Sequence, residues 1–143
     1  MKIKIFTLIA LLSMPFHLVS ADIAADFKAG LTIAQIMDNA LAGGQSIDEA
    51  VGEMVAEKPE MAGIITRTAI NKSRKDAAKI VTAATASAPR QRDAIRVAAI
   101  SAGADPTTVT RATAAGIATS TIRAIPQVQR TVAAVPAIPA SPN

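Results

Sequence analysis

The chain reads as an all-α protein: five or six short helices in degenerate repeats of about 15 residues, with an extended C-terminal tail. Three observations predict this. Of the 122 residues after Ala21, 30 are alanine, the strongest helix former. Apolar residues recur at offsets 0, 3, 4, 7 and 8, which is one stripe of a helix with a 3.6-residue period. Capping residues and prolines separate the stripes at regular intervals.

The first 21 residues stand apart from this pattern. Lys2 and Lys4 make a short basic start, and an apolar run follows from Ile5 to about Val19. Val19 and Ala21 then occupy the −3 and −1 positions of a signal-peptidase site. Basic start, apolar middle and small-residue site together predict a cleaved secretory signal over residues 1–21. The run is about 15 residues long and carries Pro15 and His17, short of the roughly 20 residues that a spanning helix needs. No cysteine follows it to carry a lipid. The expected location is therefore exported, periplasmic or extracellular, with no transmembrane segment in the mature chain.

The stripes run in order from there. Ile33, Ile36, Met37, Ala40 and Leu41 make the first; Ile47, Ala50, Val51, Met54 and Val55 the second. Met61, Ile64, Ile65, Thr68 and Ala69 make the third. Ala77, Ile80, Val81, Ala84 and Ala88, then Ala94, Ile95, Ala98, Ala99 and Ala102, nearly repeat it. Thr32 with Gln35 and Ser46 with Glu49 have capping-box spacing, and Ser73 with Asp76 is a weaker version. Pro59, Pro89 and Pro106 suit first turns, the last with Asp105 as N-cap. Gly43-Gly44 and Gly103 suit helix ends. Helix starts are expected near residues 32, 46, 58, 73, 88 and 105.

From Pro59 onward the repeat is visible by eye, with Ile65, Ile80 and Ile95 in register. A helix of about 12 residues does not hold its stripe alone, so neighbours must stack. A compact bundle and a short helical solenoid both satisfy that requirement. The helical domain is expected over 22–116. Residues 117–143 contain no acid and include Pro126, Pro136, Pro139 and Pro142, the pattern of a partly disordered tail. A last helix or short strand over 117–125 is the alternative at its start.

Composition excludes most catalytic classes. The only histidine, His17, lies in the signal, and the chain has no Cys, Trp or Tyr. Ser–His triads, thiol nucleophiles and ordinary transition-metal sites are therefore unavailable to the mature domain. Ser73 beside Lys72 and Lys75 has the makings of a Ser–Lys pair, but a cap among solvated lysines explains the same residues. Gly43-Gly44 lacks the lysine and hydroxyl of a phosphate loop. The expectation is a protein that is not an enzyme, with no cofactor.

Charge is the remaining signal. Residues 22–60 hold eight acids against two bases, a net of −6; residues 61–143 hold eleven bases against three acids, a net of +8. Glu49, Glu53 and Glu57 form a one-turn ladder on the second stripe's helix, away from the stripe. Like charges at this spacing repel mildly, and a calcium site would ordinarily take its ligands from a wrapping loop. Lys75 with Lys79 and Arg92 with Arg96 are basic counterparts. The expected function is a structural or interaction protein, self-assembling or binding a protein partner through its acidic and basic halves. The alternative is a binder of polyanions such as DNA, lipopolysaccharide or acidic polysaccharide. The lack of aromatic stacking platforms weighs against single-strand binding.

Overall fold

The computed structural model describes residues 22–124; the expected signal segment with Val19 and Ala21, its expected cleavage residues, and the chain beyond Ala124 lie outside them. Seven α-helices follow one another: α1 (Ile23–Lys28), α2 (Ile33–Ala42), α3 (Ile47–Glu57), α4 (Ala62–Lys72), α5 (Ala77–Ser87), α6 (Arg92–Ser101) and α7 (Pro106–Ala124). The described residues contain no strand. Among them, no helix is long and apolar enough to cross a membrane.

Two kinds of junction link the helices, and the sequence dictates both. Where glycine follows a helix, the chain turns through a left-handed residue: Gly44 after α2 (φ +91) and Gly103 after α6 (φ +90). Each closes a paired C-terminal hydrogen-bond motif, Gln45 to Ala40 and Gly44 to Leu41 in the first case. From α3 to α6 the device is different. Lys58, Ser73 and Ala88, spaced 15 residues apart, adopt nearly the same backbone (φ −133 to −144, ψ 71 to 84). Each leads into one 3-10 turn, Pro59–Met61, Arg74–Asp76 and Pro89–Gln91. The repeat read from the sequence is thus a repeat of backbone geometry.

The caps form as their spacing predicts. Thr32 and Gln35 complete a capping box, the Thr32 amide donating to Gln35 Oε1 at 3.0 Å. Ser46 donates from its amide and its hydroxyl to Glu49 Oε2, both at 2.9 Å. Asp105 caps α7 by accepting from the Thr108 amide at 2.7 Å, with Pro106 in the first turn.

Helices pack chiefly on the helix two places along: α3 on α5, α5 on α7, and α4 on α6. These pairs are parallel. Thr82 Oγ1 donates to the Ala112 carbonyl at 3.2 Å, and Ala86 lies against Gly116; both contacts join residues 30 positions apart. The outcome is a compact helical bundle of two rows, with α3, α5 and α7 in one and α4 and α6 in the other. Ile36, Met37, Val51, Met54, Val55, Ile65, Ile70, Ile80, Val81, Ile95 and Val109 fill the space between.

Two expectations need correcting. A short helix, α1, precedes the first predicted start; Asp22 caps it, accepting from the Ala25 amide at 3.0 Å. The core face of α4 is Ala62, Ile65, Thr66, Ala69 and Ile70, turned by one residue from the expected stripe. Ile64, placed in that stripe, is 49% exposed. α7 runs through residue 116 to Ala124, so of the two alternatives over 117–125 the described part is helical. Gly116 packs against α5 within that helix, and no proline falls between Pro106 and Pro126.

Candidate functional site

The acidic ladder stands on α3, whose inner face (Ile47, Ala50, Val51, Met54 and Val55) is wholly buried. That burial fixes the outer face. Glu49, Gly52, Glu53, Ala56 and Glu57 occupy it at offsets 0, 3, 4, 7 and 8, with all three carboxylates exposed. Two of them also have local duties. Glu49 closes the Ser46 capping box, and Glu53 Oε2 accepts from Gln45 Nε2 at 3.0 Å. The Ser46 amide, then its hydroxyl, hold the Glu49 carboxyl below the ordinary glutamate value. Its ionised form is thereby favoured.

Beside this face lies a groove of about 630 Å³ spanning α3, α5 and α7. Asp48, Glu49 and Glu53 form its acidic bank on α3; Lys79 lines it from α5 and Arg123 from the last turn of α7. Its floor is made of small residues, Gly52, Ala83 and Ala86 among them. The fold thus brings Lys79 to the same groove as two rungs of the acidic ladder, which the sequence alone did not place together. No ion pair closes across it. Among the described residues the one ion pair is Lys72 to Asp38.

The other basic residues are dispersed. Lys75 sits exposed on the turn before α5, while Arg92 and Arg96 are exposed on α6, outside the groove. The Ser–Lys pair read as a weak candidate does not assemble. Lys72 is bound to Asp38, and the Ser73 hydroxyl donates to Asp76 Oδ2 without completing the expected capping box. No group of three or more Asp or Glu side chains gathers to hold a metal ion among the described residues.

Comparing α4 with α6, one 30-residue step apart, reveals a feature that hydropathy reading missed. Ala62, Thr66 and Ile70 are buried in α4; their counterparts Arg92, Arg96 and Ile100 are exposed in α6. α4 packs on α6 beside this face, Gly63 lying against Ala94 and Ala98. On α6 the same face has no helix over it among the described residues. Val97 (66% exposed) and Ile100 (41%) lie on it with the two arginines. The signal was present in the in-register alignment, where arginine replaces alanine and threonine, but it becomes legible only once the row order is known.

No family model matches the chain, and neither a curated protein nor a solved structure does.

Proposed function

We propose that the chain is an exported, non-enzymatic interaction protein that associates with itself through its acidic and basic halves. The observation that carries this reading is the pair of exposed like-charge ladders, Glu49/Glu53/Glu57 on α3 and Arg92/Arg96 on α6, with no ion pair between them. Each ladder repels itself mildly and gains from an opposite neighbour. A contact between unlike surfaces of identical subunits is heterologous, and it propagates into a ring or a filament. Export is supported by the basic start, the apolar run and the Val19/Ala21 pair.

Sedimentation of the mature protein at about 20 mM and about 500 mM salt tests the association, because exposed charges are screened over roughly 8 Å at physiological strength. Association at low salt that dissolves at high salt is the expected result. A monomer at both salts overturns the reading. A monomer that binds heparin or DNA with steep salt dependence favours the polyanion reading instead. Intact mass checks export: the released species should begin at Asp22.

A further inference from the structure

We propose that the groove across α3, α5 and α7 receives the outer face of α6 from a second copy of this chain. The inference rests on the self-association reading above and names its two surfaces.

The α6 face carries two parallel lines of side chains. Arg92 and Arg96 stand one turn apart on one line; Asp93, Val97 and Ile100 follow the other. The groove is ordered to match. Glu49 and Glu53 line it from α3 one turn apart, and Lys79, Ala83 and Ala86 line it from α5, following one another along a single line of that helix. Successive rungs on each helix are about 6 Å apart, so the arginine line keeps register with the carboxylate line. In that orientation Asp93 faces the Lys79 side, and Val97 and Ile100 come down on Gly52, Ala83 and Ala86.

Three physical gains coincide in this arrangement. Arginine makes forked, charge-assisted hydrogen bonds to carboxylates. The two exposed apolar side chains of α6 leave water, which drives association in proportion to the area covered. The small-residue floor admits close approach without displacing bulky groups.

The test uses charge reversal on each surface of the mature protein. Arg92→Glu/Arg96→Glu alters only α6, and Glu53→Arg alters only the groove. All three residues are exposed, so thermal melts should match the parent; if either variant fails to fold, Arg96→Gln and Glu53→Gln replace them. Each variant alone should associate at least about tenfold more weakly than the parent. An equimolar mixture should form a 1:1 heterodimer, because each supplies the intact surface that the other lacks. Two variants that stay monomeric after mixing overturn the proposal. Salt-sensitive association undiminished in the α6 variant also overturns it while leaving the self-association reading intact. A parent that is monomeric at both salts removes both.

Discussion

The backbone of α7 at Gly116 lies so close to α5 that a Cβ built there would sit 2.6 Å from the Thr82 carbonyl oxygen and 2.7 Å from Thr85 Cβ. Only glycine fits without moving one helix. Gly116→Ala should destabilise the bundle by about 1–3 kcal/mol, the usual range for overpacking, despite the roughly 1 kcal/mol of helix propensity that alanine adds. Gly52 is the control. A Cβ there meets nothing nearer than Ser87 Oγ at 3.6 Å, so Gly52→Ala should stabilise by up to about 1 kcal/mol. Urea melts of the two variants should move in opposite directions.

Thr66 and Thr85 are fully buried, and their hydroxyls have no hydrogen-bond partner among the described residues. A buried unpaired hydroxyl keeps its desolvation cost. Thr66→Val and Thr85→Val should therefore each raise stability, by about 1 kcal/mol or less. Thr113, whose hydroxyl donates to the Val109 carbonyl at 2.8 Å, should gain nothing from the same change. Thermal denaturation of the three variants separates the cases.

Ile65 and Ile80 are fully buried at equivalent positions of successive repeats. Placing a carboxylate at either costs several kcal/mol against a typical total of about 5–15. Ile65→Asp or Ile80→Asp should leave the chain unfolded by circular dichroism, whereas Lys79→Ala, exposed in the groove, should melt like the parent.

Acid should weaken the fold through two helix caps. Backbone amide donors hold Glu49 below its ordinary 4.5 and Asp105 below its ordinary 3.8. A carboxyl whose folded value is depressed stabilises fully above its unfolded value and loses that contribution as pH falls through the folded one. The melting temperature should thus decline below about pH 4.5. Glu49→Gln with Asp105→Asn keeps both caps in neutral form, and the decline should flatten in that double variant.

Much of the helix order was legible because its signals are local. Thr32, Glu49 and Asp105 accept from backbone amides three residues away, and proline sets its own φ. The α3 stripe was read without error because polar residues flank it on both sides. In α4 the reading slipped by one residue, since Met61/Ile64/Ile65/Thr68/Ala69 and Ala62/Ile65/Thr66/Ala69/Ile70 fit the same spacing with one threonine each, and the exposed Ile64 and larger Met61 favoured the first. Row order was not legible. The contacts that set it run through Gly63, Ala94, Ala98 and Gly116, small residues whose close fit leaves little trace in a hydrophobic pattern. For the same reason the groove, with Lys79 facing the acidic bank, emerged only from the structure.

Among its described residues, the chain packs mainly helices one or two places apart. Its cooperativity must therefore be passed from neighbour to neighbour, as in a one-dimensional array. In such an array an end can open while the middle stays shut. Amide exchange should then follow position along the rows rather than depth of burial alone. Amides of α1, held by a six-residue helix at one extremity, should exchange first, and those of α5, flanked on both sides by α3 and α7, should exchange last.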